Sequence, residues 1–157
     1  MTTQLHAWKM LNCAHMADQA PASQKSKVYL ETPYVLVRWD GDGRWVYVKW
    51  KAWANSPEYR EAQEAVLLAL RENHASRNLI DSRDSRVVSD ADQEWLVKDW
   101  MPRAVAAGRR WTAIVLPTSP LGRTIAENID KYPRSKLTTV AHFETVEDAA
   151  AWLSTVN

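Results

Sequence analysis

Cysteine is almost missing from this chain: Cys13 is the only one in 157 residues. One thiol excludes an intrachain disulfide framework and fits a reducing compartment. Glycine is scarce too, at four, which leaves few loops able to cradle a phosphate. The pattern Gly-x-x-x-x-Gly-Lys does not occur; PLGR at Pro120–Arg123 is no substitute. No serine stands in a Gly-x-Ser-x-Gly elbow, so a hydrolytic triad has no support. No apolar run is long enough to span a bilayer. The N-terminal stretch MTTQLHAWKMLNCAHMA has no true apolar signal-peptide core. An excess of one charge is also lacking. The net charge of +1 argues against nonspecific nucleic-acid binding, which needs many phosphate contacts. The expectation is a cytoplasmic protein with no membrane insertion, no nucleic-acid partner and no cofactor.

What is abundant is tryptophan, nine against a single phenylalanine. The composition is otherwise ordinary for a globular domain, 46% hydrophobic and 25% charged. The length suits one domain that buries roughly 70% of its unfolded surface without staples.

Residues 1–27 stand apart as an N-terminal arm. Leu5, Trp8 and Leu11 have helical spacing, and PASQKSK reads as a polar linker. The domain is expected over 28–157. YVLVRW (Tyr34–Trp39) reads as a strand, Asp42-Gly43 as a hairpin turn, and Trp45–Trp50 as the return strand. Ser56-Pro57 starts a helix running to about Asn73, with Tyr59, Ala62, Val66, Ala69 and Leu70 on its apolar stripe. Arg77–Asp81 is a short buried strand. Ser89 caps a second helix, which Pro102 should kink and Gly108 should end. WTAIVL (Trp111–Leu116) has the pattern of a strand buried on both faces. Ser119-Pro120 opens a third helix with Leu121, Thr124, Ile125, Ile129 and Tyr132 inward. Leu137–Phe143 is the last strand, and Thr145 caps a final helix with Val146, Ala149, Ala150 and Leu153 inward. The order β-β-α-β-α-β-α-β-α predicts a single α/β domain: a mixed, mostly parallel sheet of about five strands with an N-terminal hairpin.

Five stretches in order carry a family resemblance: VKWKAW after the hairpin, LIDSR at the third strand, DQEWL on the second helix, PRAVAAGRRWTAIVLP, and the terminal FETVEDAAAWL. Over Tyr29 to Leu153 the chain resembles STAS-like domains, relatives of the anti-sigma-factor antagonists. It is most similar to an uncharacterised bacterial branch related to CRAL-TRIO lipid carriers. The resemblance implies about four helices packed mainly on one face of the sheet and no established enzymatic activity. The antagonists carry a phosphoacceptor at the start of the second helix. Ser89 stands near that place, without the small residue and glycine that follow it in the family. As an N-cap, Ser89 needs no further role, and Asp90 and Asp92 would repel a phosphate there.

Two regions qualify as sites. Asp81, Ser82, Arg83, Asp84, Ser85 and Arg86, with Ser89 beyond, follow a strand end, where open α/β sheets often bind ligands. The plainer reading is a solvated loop with local ion pairs. The second region is aromatic. Trp50, Trp100 and Trp152 read as core, whereas Trp45 and Tyr47, with Trp39 or Trp111, could form a less covered sheet face suited to an interface. The competing possibility is that the N-terminal arm folds over that face through Trp8. His6, Cys13 and His15 lack a recognised zinc spacing, so no metal is expected.

Three functions remain. The first is a non-catalytic STAS-like regulatory module that binds an unidentified protein partner and forms a homodimer. It predicts an open aromatic patch and no cavity. The second is a carrier or sensor of a lipid-like or nucleotide ligand, which requires a cavity walled by residues such as Trp50, Trp100 and Ile125. The third is an enzyme using Asp81 and Asp84, which requires a cleft around a perturbed carboxylate.

Overall fold

A computed structural model describes residues 25–132 and 136–157. The elements are β1 (Lys27–Glu31), β2 (Val35–Asp40), β3 (Trp45–Trp50), α1 (Ser56–Glu72), β4 (Arg77–Asp81), α2 (Asp90–Trp95), α3 (Met101–Ala106), β5 (Trp111–Val115), α4 (Pro120–Asp130), β6 (Thr139–Phe143) and α5 (Val146–Thr155). A π-helical turn, Leu96–Trp100, joins α2 to α3. The backbone stays right-handed helical through both junctions, so α2, the π turn and α3 form one rod. No helix among the described residues is long and apolar enough to cross a membrane.

The strands lie in sequence order in one sheet. β1–β2 and β2–β3 are antiparallel, and the three pairs from β3 to β6 are parallel. The α/β class is as expected, but the sheet has six strands rather than five and is mixed rather than mostly parallel. The extra strand is β1, which begins at Lys27 at the expected arm boundary. It is an edge strand with a register shift between Val28 and Leu30. The Tyr29 hydroxyl donates to Glu72 (2.6 Å) and accepts from the Asn73 amide (2.8 Å), tying β1 to the end of α1.

The hairpin turns where expected. The Asp40 carboxylate accepts from the Gly43 N–H (2.9 Å), and the positive φ falls on Arg44. Gly43 lets the Trp45 ring lie against the turn: a Cβ there would stand 2.4 Å from that ring, which would have to move.

Alternation along the strands divides the core in two. Val35, Val37 and Trp39 of β2, with Val46, Val48 and Trp50 of β3, face α1 and the α2–α3 rod. Leu79, Ala113 and Val115 face the other way, under Ala149 and Leu153 of α5. The crossover helices therefore share one face, and α5 covers the opposite one.

The capping expectations hold, with one shift. Ser89, Ser119 and Thr145 each accept from the backbone N–H three residues on. On α1 the cap is Asn55 rather than Ser56, in a full capping box with Glu58. That frees Ser56 for another task. Asp92, 3% exposed, accepts from the hydroxyls of Ser56 (2.6 Å) and Ser89 (2.8 Å) and from Arg60 Nε (2.8 Å). It bolts the start of α1 to the start of α2. Burial alone would raise its pKa, but these three donors outweigh burial and hold it below the usual carboxylate range.

Asp92→Asn is expected to cost about 3 kcal/mol at neutral pH, because a buried charge-assisted network loses its negative charge and one of its two acceptor oxygens. The folded pKa is depressed, so the wild-type contribution is present above the unfolded carboxyl pKa and disappears as pH falls through the folded one. Urea unfolding at pH 7, 4 and 3 should show the gap between variant and wild type closing only below about pH 4. A gap independent of pH would place the effect in packing rather than charge.

Candidate functional site

The α1 side of the sheet is filled by side chains over β2 and β3, but from Ile80 of β4 outward it is not. Over β5 and β6 lies a cavity of about 440 Å³. Its floor is Ile80, Thr112, Ile114 and Val140, the side chains of β4, β5 and β6 that point toward the crossover helices. One wall is the helical rod, through Leu96, Trp100 and Val105. The other is α4, through Gly122, Ile125 and Ile129. Trp50 and Tyr59 close the inner side, their rings stacked at 5.3 Å. Burial raises the pKa of the Tyr59 hydroxyl far above its ordinary value, so it stays protonated at the wall. The cavity reaches the surface at Val87, which is half exposed.

Local chemistry explains both walls. Pro102 lacks an N–H and its ring crowds the carbonyl four residues back. The expected interruption takes the form of the π turn, in which the Met101 N–H donates to the Leu96 carbonyl. Such turns often occur at functional sites. Leu96 and Trp100, at its two ends, both line the cavity. Trp100 is fixed by its indole N–H, which donates to the Gln63 carbonyl at 2.8 Å.

α4 departs from expectation. It is strongly amphipathic, yet none of its residues is buried. Leu121, expected inward, is 58% exposed, and Tyr132 is also exposed. Ile125 faces the void, and Ile129, which also lines it, meets the core only at its edge and stays partly buried. The helix is held mainly at its ends. Arg123 makes a two-pronged ion pair with Glu144 (3.0 and 2.8 Å) and donates to the Pro117 carbonyl (2.9 Å). Asp130 lies 3.1 Å from His142 Nε2. Gly122 allows the first turn to sit close; a Cβ there would lie 2.6 Å from the Pro117 ring.

The expected polar loop is divided by the sheet. Ser82 and Ser85 line the cavity. Asp81 points to the other face, where Arg83 grips it with both Nε (2.9 Å) and Nη2 (2.8 Å), and the Tyr47 hydroxyl lies 3.4 Å away. Burial pushes the Asp81 carboxyl up, but the Arg83 guanidinium and backbone N–H bring it below its ordinary value. A carboxylate held ionised in a closed pair is poorly placed to move protons. Asp84 and Arg86 are exposed, and the Ser89 hydroxyl is used by Asp92.

The aromatic set is also split. Trp39 is not on the face of Trp45; it is 2% exposed in the core beneath α1. The register sets this, since Trp39 stands opposite Val46 while Trp45 stands opposite Asp40. Trp45, Tyr47 and Trp111 do share a face, but they are half-buried against the α5 cluster. Trp152 of α5 packs edge-on to Trp111 at 6.3 Å. His6, Cys13 and His15, and the arm that carries Trp8, lie outside the described residues. Among the described residues no group of three or more His, Cys, Asp or Glu could hold a metal ion.

Sequence reasoning named Trp50, Trp100 and Ile125 as walls of a cavity, should one exist, and all three line this one. It did not single out Arg109, which also lines it. The available signal was an arginine directly after the helix-ending Gly108, at a position where an apolar contact is usual. Compared with known protein families, with curated proteins and with solved structures, the chain matches none.

A helix with no buried side chain should open more readily than its neighbours. Amide hydrogen exchange across α4 is expected to be about tenfold faster or more than across α5, whose Ala149 and Leu153 are fully buried. Equal protection in the two helices would mean that α4 is seated as a core element.

Proposed function

We propose that the chain is a non-catalytic, STAS-like ligand-binding module, a carrier or sensor that holds a small lipid-like molecule between its helices and sheet. The observation that carries this reading is the cavity beneath α4. Its 440 Å³ falls within the range of about 300–1,000 Å³ typical of small-molecule sites. Its lining is mostly apolar with a few polar groups at its margins, the usual chemistry of such sites. Apolar voids of this size weaken a fold, because the lining atoms lose contacts on one side. A ligand would supply them and give α4 a packed partner.

A nucleotide is the poorer fit, since the cavity wall has no glycine-rich phosphate loop and mostly apolar side chains. The aromatic interface and the homodimer built on it gain less support, because α5 covers much of that face. An enzyme using Asp81 is disfavoured by its closed pair with Arg83. A cytoplasmic setting goes with the lone Cys13.

A neutral single-chain probe, dodecan-1-ol, tests the reading. Calorimetry should show one molecule bound per chain. Ala126→Trp, which fills the cavity from α4, should weaken binding about tenfold or more while leaving Tm unchanged or higher. Absence of binding, or equal binding by the filled variant, would reject the cavity as the ligand site.

A further inference from the structure

The parallel strands β3, β4 and β5 end on the same edge of the sheet. The connections that follow them, 51–55, 82–89 and 116–119, stand there side by side. Each brings a large apolar side chain into solvent. Trp53 is 62% exposed in the first and Val87 50% in the second; Leu121, just past the third, is 58% exposed. Taken singly, such residues need no explanation. These three ring an opening. Val87 lines the cavity where it reaches the surface, as do Ala54 beside Trp53 and Gly122 beside Leu121.

The rim is tied together. The Thr118 N–H and hydroxyl both donate to the Arg83 carbonyl (3.3 and 3.1 Å), which joins the second connection to the third. Asp92 joins Ser56, just past the first connection, to Ser89 at the end of the second. The charges largely cancel. Lys51 pairs with Glu31 (3.6 Å), and Arg83 is closed on Asp81. Asp84 and Arg86 add one charge of each sign. With their partners, the three connections carry no net charge.

The shape of this rim favours one kind of partner. A protein interface needs a close-packed core. A folded partner pressed onto Trp53, Val87 and Leu121 would bridge the mouth and leave the cavity lining without contacts behind it. A bilayer is fluid, and its acyl chains can enter an opening. A lipid-like ligand must also reach the cavity, and each methylene left in water on the way shifts the equilibrium about fourfold against it. Tryptophan suits the headgroup boundary, where its ring meets apolar matter while its N–H stays wet.

We propose that this edge of the domain docks on a lipid bilayer surface. Trp53, Val87 and Leu121 enter the headgroup boundary, and the ligand passes between membrane and cavity without crossing water. The contact is peripheral, since no helix among the described residues is long and apolar enough to cross a membrane. With no net charge at the rim, docking relies on apolar burial rather than on anionic lipid. This rests on the cavity reading above and goes further by naming the source of the ligand and the face that meets it.

Flotation of the full chain with vesicles of zwitterionic phosphatidylcholine tests the docking. The wild type should float with the vesicles, and raising salt from about 0.05 to 0.5 M should change its partition by less than about twofold. In the double variant Trp53→Ser, Leu121→Ser the partition should fall about tenfold or more. Calorimetry of that variant with dodecan-1-ol should return the wild-type affinity, since neither side chain lines the cavity. Flotation that persists in the double variant would overturn the assignment of the rim. Dodecan-1-ol binding without flotation of the wild type would overturn the docking and leave the cavity reading intact. Flotation without dodecan-1-ol binding would sink the cavity reading, and the transfer with it. A wild-type dimer that does not float and that Trp53→Ser dissociates, measured by light scattering, would make the rim a contact between copies and reject the bilayer.

Discussion

The structure depends on a constraint of sheet topology. β3, β4, β5 and β6 are added side by side in one direction, and each parallel connection must cross the sheet. Such crossovers are right-handed in nearly all proteins, so successive ones in one direction return over the same face. α1, the α2–α3 rod and α4 therefore queue along one side. α1 comes first and lies over the hairpin, where Val35, Val37, Val46 and Val48 meet its stripe. The rod follows, pinned to α1 through Asp92 and through the Trp100–Gln63 hydrogen bond. α4 comes last, over the outermost strands, with fewer apolar side chains left to pack against. The void is what remains between a rod fixed to its neighbour and a helix tied down by its ends. α5 makes no crossover, so it is free to cover the opposite face.

Much of this was legible. The Ser119-Pro120 start, the caps at Ser89 and Thr145, and the doubly buried WTAIVL strand are local signals, and local signals survive into the fold. The failures have physical causes. β1 was hidden because KVYLE is short, half polar and at the sheet edge, and its stability comes from Glu72 and Asn73, far away in sequence. Trp39 could not be assigned to a face without the hairpin register, since a slip of one residue moves every side chain across the sheet. The stripe on α4 was read correctly as a stripe and wrongly as core. Periodicity reports that a helix has an apolar side, not what occupies the space opposite it.

The candidate site was only partly legible for the same reason. Ser82 and Ser85 were found from their place after a strand, yet Asp81 and Arg83 from the same loop went to the other face and neutralised each other. Trp50, Trp100 and Ile125 are far apart in the chain and meet only after three crossovers have been made. Arg109 was masked by the pair it belongs to. Arg109-Arg110 after a glycine looks like surface charge at a helix end, which is true of Arg110 alone. The Schellman turn at Gly108 sends the first arginine inward, and that depends on a backbone angle rather than on composition.

α4 also bears on how such a domain can diversify. Substitutions in a packed helix are tied to the whole fold, because each changes contacts on which the core relies. Here the buried hydrophobic nucleus lies in α1, the rod, α5 and the strands, and α4 adds only the partly buried Ile129 at its edge. The inward residues of α4 can therefore drift with little penalty to folding, so long as Arg123 and Asp130 keep the helix in place. Across descendants of this chain, the shape of the chamber would vary faster than the scaffold around it. Selection could then retune what the protein holds without having to rediscover how it folds.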